Sequence, residues 1–281
     1  VNTGFNGLIQ VSDNMSLHPE LAEEWSVNSN ATEYTFKIRK GVSFHSGGEL
    51  TASDVVWSMN RHIEDGSPSS IKSFFSLVEE WKAVDKYTVK LTLSSPDADM
   101  PYKLTQPQAK IVKKNTHNWW GAGTGPYVLD SFQAGVRSIY SRNNNYWCDT
   151  GQWPDNIEIT ALTAMNARLN ALLSGSVDMI TAISAKQIKK LESSGLNVLS
   201  VPAGVYGGIC CLKNTAPGDN DDLVQGLRYI QDREWIVRKF LKGHGTLGND
   251  HPINISYGAD HCHELPHIPY DPDKAKWLLN K

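Results

Sequence analysis

The sequence has no apolar run approaching the roughly 20 residues that a membrane-spanning helix needs. It also lacks an excess of positive charge. Its formal net charge is -3, which argues against a nucleic-acid surface, because that requires a basic face. No signal-peptide pattern opens the chain, so an exported protein would appear here in mature or cut form. Cysteine is scarce, with 4 residues. Cys210 and Cys211 are adjacent on an expected strand, where their side chains would point to opposite faces. Cys148 and Cys262 lie far from them, and this spacing is no disulfide framework. Buried free thiols are the expectation for the vicinal pair. Internal repeats and low-complexity segments are absent, and 281 residues suffice for one large domain or two lobes with cores.

What is present is clearest over residues 34–61. Tyr34, Phe36 and Ile38 alternate with polar residues, the period of a strand with one buried face. Gly41, Gly47 and Gly48 then mark turns. Thr51 is placed to cap a helix, with Asp54 three residues on as an acidic variant of the capping box. Val55, Val56 and Met59 give that helix an apolar side.

Residues 1–8 read as the end of a helix. Residues 78–85 and 87–93 read as paired strands, as do 127–132 and 136–142. Strands are expected at 157–161, 177–182, 198–201 and 205–212. Helices are expected at 163–174, at 184–194 with Ser184 and Gln187 as a capping box, and at 222–230 and 233–241. Asp271 and Pro272 start one more, in which the chain stops after about two turns, so the sequence reads as a fragment. Strands alternating with helices imply an α/β sheet with crossover helices.

Two motifs invite chemistry and are set aside. His263-Glu264-Leu265-Pro266-His267 spells the zinc-protease pattern, which works because a helix puts both histidines on one face. Pro266 would break that helix. His261, Cys262, His263 and His267, with His244 and His251 upstream, are metal-ligand types, but spacing alone defines no site and a solvated loop is expected. Residues 121–125, GAGTG, suggest a phosphate loop. Pro126 and a strand follow rather than a helix, so a structural turn is expected. No nucleophile elbow occurs.

The wording of these segments resembles family 5 of the extracellular solute-binding proteins, the peptide- and nickel-type receptors of ABC importers. Phe36, Arg39, Gly41, Val42, Phe44, His45, Gly47, Thr51, Ala52, Asp54, Val55 and Trp57 fit its signature, and Ser46 departs from the usual Asp. Phe5-Asn6-Gly7-Leu8 is similar to its "yeGL", residues 18–25 to "P.LAesW", 123–127 to "GTGPY", 145–147 to "n..YW", and 271–279 to "yDP.kAk.LL". Residues 222–234 resemble "vR.Al.yaiDRe", with Gln225 in place of the usual Arg.

The resemblance implies an α/β fold of the periplasmic-binding-protein type II, two-lobed with an extra small domain and an incomplete second lobe. Residues 1–11 and 107–204 would form the central lobe, 12–106 the small satellite domain and 205–281 the start of the second lobe. The implied function is capture of a peptide or similar small solute in an interlobe cleft and its delivery to a membrane permease, without catalysis or cofactor. The protein would be periplasmic or extracellular, with a lipid anchor as an option in the full-length protein. It would be a monomer that binds no nucleic acid. The resemblance places ligand contacts at Phe5 and Asn6, at Ser69, Phe74 and Phe75, and at Thr181, Tyr206 and Ile209. With one cleft wall missing, the fragment is expected to bind ligand weakly. The rival readings are a solute-sensing domain of a transcription regulator and a metal-dependent hydrolase.

Overall fold

Apolar alternation in the first part of the chain is realised as antiparallel sheet. The computed structural model describes residues 3–12, 15–116, 121–148, 154–201, 207–248, 253 and 255–281. Its contacts divide the chain into Val1–Ala161 and Leu162–Lys281. In the first unit, β1 (Ile9–Val11) and β2 (Leu17–Pro19) form a short ribbon. β3 (Ala22–Val27), β4 (Glu33–Ile38), β5 (Val78–Asp85) and β6 (Thr88–Leu93) form a sheet in the order β3-β4-β6-β5.

The register of that sheet sets the core. Tyr34 lies opposite Leu91 and Phe36 opposite Val89. Side chains alternate across a strand, so all four share one face, and each is fully buried. α1 (Ala52–Ile63) packs along β5 and β6 and buries Val55 and Met59. Burial of each such side chain contributes about 1.5–3 kcal/mol. Asp54 secures the helix start. Its Oδ2 accepts from the Thr51 backbone N–H at 2.9 Å and the Thr51 hydroxyl at 2.7 Å. Its Oδ1 accepts from the Lys114 N–H at 2.9 Å. After the short α2 (Met100–Lys103), β7 (Tyr127–Gln133), β8 (Arg137–Arg142) and β9 (Asn156–Thr160) form a second antiparallel sheet.

The chain start departs from expectation. Thr3 and Gly4 form a turn, and residues 5–7 are irregular rather than helical. The carbonyls a helix would use internally are taken from outside: Thr3 O by Tyr127 N–H, Gly4 O by Gly125 N–H and Asn6 O by Ile111 N–H, at 3.0–3.1 Å.

The second unit carries α3 (Met165–Leu173), α4 (Ala185–Ser193) and α5 (Asp221–Tyr229). α6 (Arg233–Trp235) follows and runs on into a π-helical turn, Ile236–Phe240; α7 (Pro272–Leu279) comes last. α5 and α7 pack together where Gly226 admits Leu279; a Cβ there would lie 2.8 Å from Leu279 Cδ2. The Asp271 cap forms as expected, accepting from Lys274 N–H at 2.8 Å. The Ser184 capping box does not form; Gln187 N–H bonds the Ser184 carbonyl instead.

The segments 177–182, 198–201 and, where described, 207–212 are not strands. Among the described residues every strand pairing is antiparallel, so the expected crossover sheet is absent from them. A strand exists only when its backbone groups have a partner. These segments have none of that kind, and Met179, Leu199 and Ile209 are 79%, 90% and 66% exposed.

Candidate functional site

The segments that are most distinctive in the sequence meet at one buried side chain. Asn6 is 3% exposed. Its Nδ2 donates to Glu20 Oε1 at 2.7 Å and to the Tyr146 hydroxyl at 3.3 Å. Its Oδ1 accepts from the Thr124 hydroxyl at 3.0 Å and Trp147 Nε1 at 3.3 Å. Glu20 Oε2 accepts from Gly7 N–H at 2.7 Å. Arg39 closes the cluster: its Nε donates to the Glu20 carbonyl at 3.2 Å, and its guanidinium lies 4.6 Å from the Trp147 ring. Burial raises the Glu20 pKa above the usual carboxylate range, and the nearby Lys110 charge opposes this. Burial lowers the pKa of Lys110 and raises that of Tyr146.

The loop 121–126 closes over this cluster. Gly123 and Gly125 run against the backbone of Gly4 so closely that a Cβ on either would occupy its atoms. The turn after β4 reaches the same loop: His45 N–H bonds Gly123 O, Ser46 N–H bonds Gly121 O, and His45 Nε2 donates to Gly125 O at 2.9 Å. The loop is thus a structural turn, as expected from Pro126. Gly125 N–H, a donor that a phosphate loop would offer its anion, is bonded to Gly4 O at 3.1 Å.

The candidate ligand positions are placed as follows. Phe5 is half-buried beside the hub, and Asn6 is wholly occupied as its centre. Segment 109–112 runs between them and α1: Ile111 N–H goes to Asn6 O, and Val112 N–H to Ser58 Oγ at 2.9 Å. Ser69 Oγ pairs with His62 Nδ1 at 2.7 Å at the far end of α1. His62 is buried, and its pKa is lowered to about 4, first by desolvation and then by the Arg61 charge. Phe75 lies in the core at 1% exposure, whereas Phe74 is 41% exposed. Thr181 and Ile209 are exposed in the second unit. Tyr206 lies outside the described residues.

A family profile described as bacterial extracellular solute-binding proteins, family 5 Middle, matches residues 16–281. The chain belongs to that family. This family 5 protein is 29% identical to heme-binding protein A of Haemophilus influenzae, over 98% of the chain and 55% of the relative. It is 26% identical to di/tripeptide-binding protein 3 of Pseudomonas aeruginosa, over 99% and 58%. Among solved structures it matches NikZ of Campylobacter jejuni in complex with Ni(L-His). The TM-score is 0.88 at 23% identity, covering 99% of this chain and 57% of that one. That likeness shows the fold, which is α/β of the periplasmic-binding-protein type II. The chain spans little more than half the length of these relatives.

In this family 5 protein two further expectations meet the structure. Residues 263–264 form a turn and 266–270 run without helix, so His263 and His267 do not share a helical face. The four cysteines are free, and the vicinal pair is not buried as expected: Cys210 is exposed and Cys211 half-buried. Their backbone is not in a strand, so the strand alternation expected of them does not apply. Both line one depression of about 240 Å³ with Leu212, Pro217, Leu223 and Leu227. Sequence reasoning passed over Glu20, Thr124, Tyr146 and Trp147 as partners of Asn6, although each falls inside a segment it had matched to the family.

Proposed function

We propose that this chain is part of the substrate-binding component of an ABC importer. The whole receptor takes a peptide or similar small solute into an interlobe cleft and hands it unchanged to a membrane permease, outside the cytoplasmic membrane. The observation that carries this is the family match over residues 16–281; the di/tripeptide-binding relative favours a peptide as the solute. The division into a central lobe (1–11, 107–204), a satellite domain (12–106) and a second lobe from residue 205 belongs to this reading. It is supported by the sheet β3-β4-β6-β5 and α1, which fall wholly within 12–106. Affinity then comes from burial between lobes and from main-chain hydrogen bonds, which tolerate varied side chains.

The hub has a positioning role in this reading. It holds the Phe5 loop against the 121–126 loop without itself touching solute, while Phe5 and Phe74 supply contacts from the first unit. The test is a thermal-shift screen of the full-length receptor against a di- and tripeptide library. A binding peptide raises the melting temperature as ligand linkage requires, and mass spectrometry recovers it intact. Cleaved peptide, or no shift with any peptide, would end the reading.

A further inference from the structure

We infer that the Lys110 ammonium binds a carboxylate of the solute, so that the receptor selects a peptide carrying a free carboxylate. This rests on the peptide-binding reading above and adds the solute's charge to it. A peptide offers the group at its C-terminus or on an aspartate or glutamate side chain. Lys110 is 8% exposed, in a stretch where Ala109, Ile111 and Val112 are buried. Lysine is almost never buried to that degree unless it is paired. Among the described residues, however, Lys110 Nζ makes no hydrogen bond and no ion pair. Lys103 shows the ordinary arrangement in the same unit: its Nζ lies 2.5 Å from the buried Asp97 carboxylate, so its counter-ion is part of the protein.

The surroundings of Lys110 explain its position but leave its charge uncompensated. Its carbonyl accepts from Arg61 Nη2 at 3.0 Å, and the next N–H, of Ile111, bonds Asn6 O at 3.0 Å. Segment 109–112 is thereby held against the Phe5 loop, where the first unit contributes its solute contacts. Glu20 attracts Lys110 through space without forming an ion pair with it. The Glu20 oxygens are held instead by Asn6 Nδ2 and Gly7 N–H, at 2.7 Å each. Burial favours the neutral form of Glu20, which weakens it further as a counter-charge. The desolvation cost of the ammonium is therefore not offset from within, and an arriving carboxylate offsets it through a charge-assisted hydrogen bond. The nitrogen is within reach. Among the described residues the fully enclosed, unbonded side-chain nitrogens belong to His62, Trp81 and Arg168. Lys110 Nζ is not one of them, so its tip keeps an opening to solvent.

The test screens the full-length receptor by thermal shift, then calorimetry, against matched tripeptide libraries. One carries free C-termini, one C-terminal amides, and one glutamine and asparagine in place of glutamate and aspartate. One neutralised library should bind at least roughly tenfold more weakly than its acidic counterpart. A loss with the amides assigns the C-terminus, and a loss with glutamine and asparagine assigns the side chain. Lys110→Met should abolish that difference by weakening the acidic peptide to the level of its neutral counterpart. Lys110→Arg, which keeps the charge, should restore at least part of it. Without peptide, Lys110→Met should not lower the melting temperature, because it removes a charge that has no partner. If peptides bind but the acidic preference is missing, or survives in Lys110→Met, the assignment falls while the peptide-import reading stands. If Lys110→Met fails to fold, or melts more than about 3 °C lower without peptide, Lys110 is a structural counter-ion of Glu20 and the assignment also falls. If no peptide of any library binds, the peptide reading itself fails and takes the assignment with it.

Discussion

Asn6 and Glu20 stand 14 residues apart in sequence and share a 2.7 Å hydrogen bond with both groups buried. The bond gives a largely buried carboxylate an amide partner beside its backbone N–H partner. An arrangement of this kind adds little net stability but is costly to break, because the surviving partner is left buried and unpaired. Asn6→Ala should therefore destabilise the chain by about 3 kcal/mol, read from the urea midpoint at constant m-value. A loss within about 0.5 kcal/mol would show that the cluster relaxes around the gap.

Glu20 also gives stability a pH dependence. Its folded pKa is raised above the unfolded value, so between the two the folded state holds more protons. Stability from this group is full below the unfolded pKa and falls as pH rises through the folded one. Glu20→Gln should flatten that part of a stability-pH curve measured by urea titration. An unchanged slope would mean that Glu20 titrates as it does in the unfolded chain.

His62 works in the opposite sense. Its folded pKa is about 4 against 6.5 unperturbed, so the unfolded state binds the proton first as pH falls. Stability is full above pH 6.5 and is lost down to about pH 4, on the order of 2 kcal/mol after allowing for solvent screening. His62→Gln should remove this acid-side loss in thermal melts between those values, and its persistence would assign the loss elsewhere.

Two glycines of the first unit, one in the 121–126 loop and one in the turn between β7 and β8, separate contact from conformation. Gly125→Ala would drive a methyl into the Gly4 backbone and should cost about 3 kcal/mol or more. Gly135→Ala meets open space at φ +72° and should cost only the left-handed penalty, about 1 kcal/mol. Equal effects in denaturant titrations would contradict the packing described for the loop.

Phe74 and Phe75 should part in the same way. Phe75→Ala opens a cavity in the core and should cost about 3–5 kcal/mol. Phe74→Ala should change stability by less than about 0.5 kcal/mol. In the full-length receptor it should weaken peptide binding roughly tenfold, which is the removal of one aromatic contact. Unchanged affinity would take Phe74 out of the binding surface.

Much of the first unit was legible because its instructions are local. Tyr34, Phe36 and Ile38 spell a one-faced strand, Thr51 and Asp54 start a helix, and 78–93 and 127–142 carry hairpins whose partners lie next along the chain. The helices of the second unit were legible for the same reason. The strands expected at 177–182, 198–201 and 205–212 are absent from the described residues, because apolar alternation states only that a segment suits pairing. It does not supply the partner.

The sequence by itself determined the family, the local elements and the glycine positions, since each depends on neighbouring residues or on a recognisable string. Only tertiary structure decided that Asn6 meets Thr124, Tyr146 and Trp147, at separations of 118, 140 and 141 residues. It also decided that Phe75 and not Phe74 is core, and that Cys210 and Cys211 line one depression. A contact between distant residues is fixed by the path of the whole backbone, and no short window of sequence carries that path.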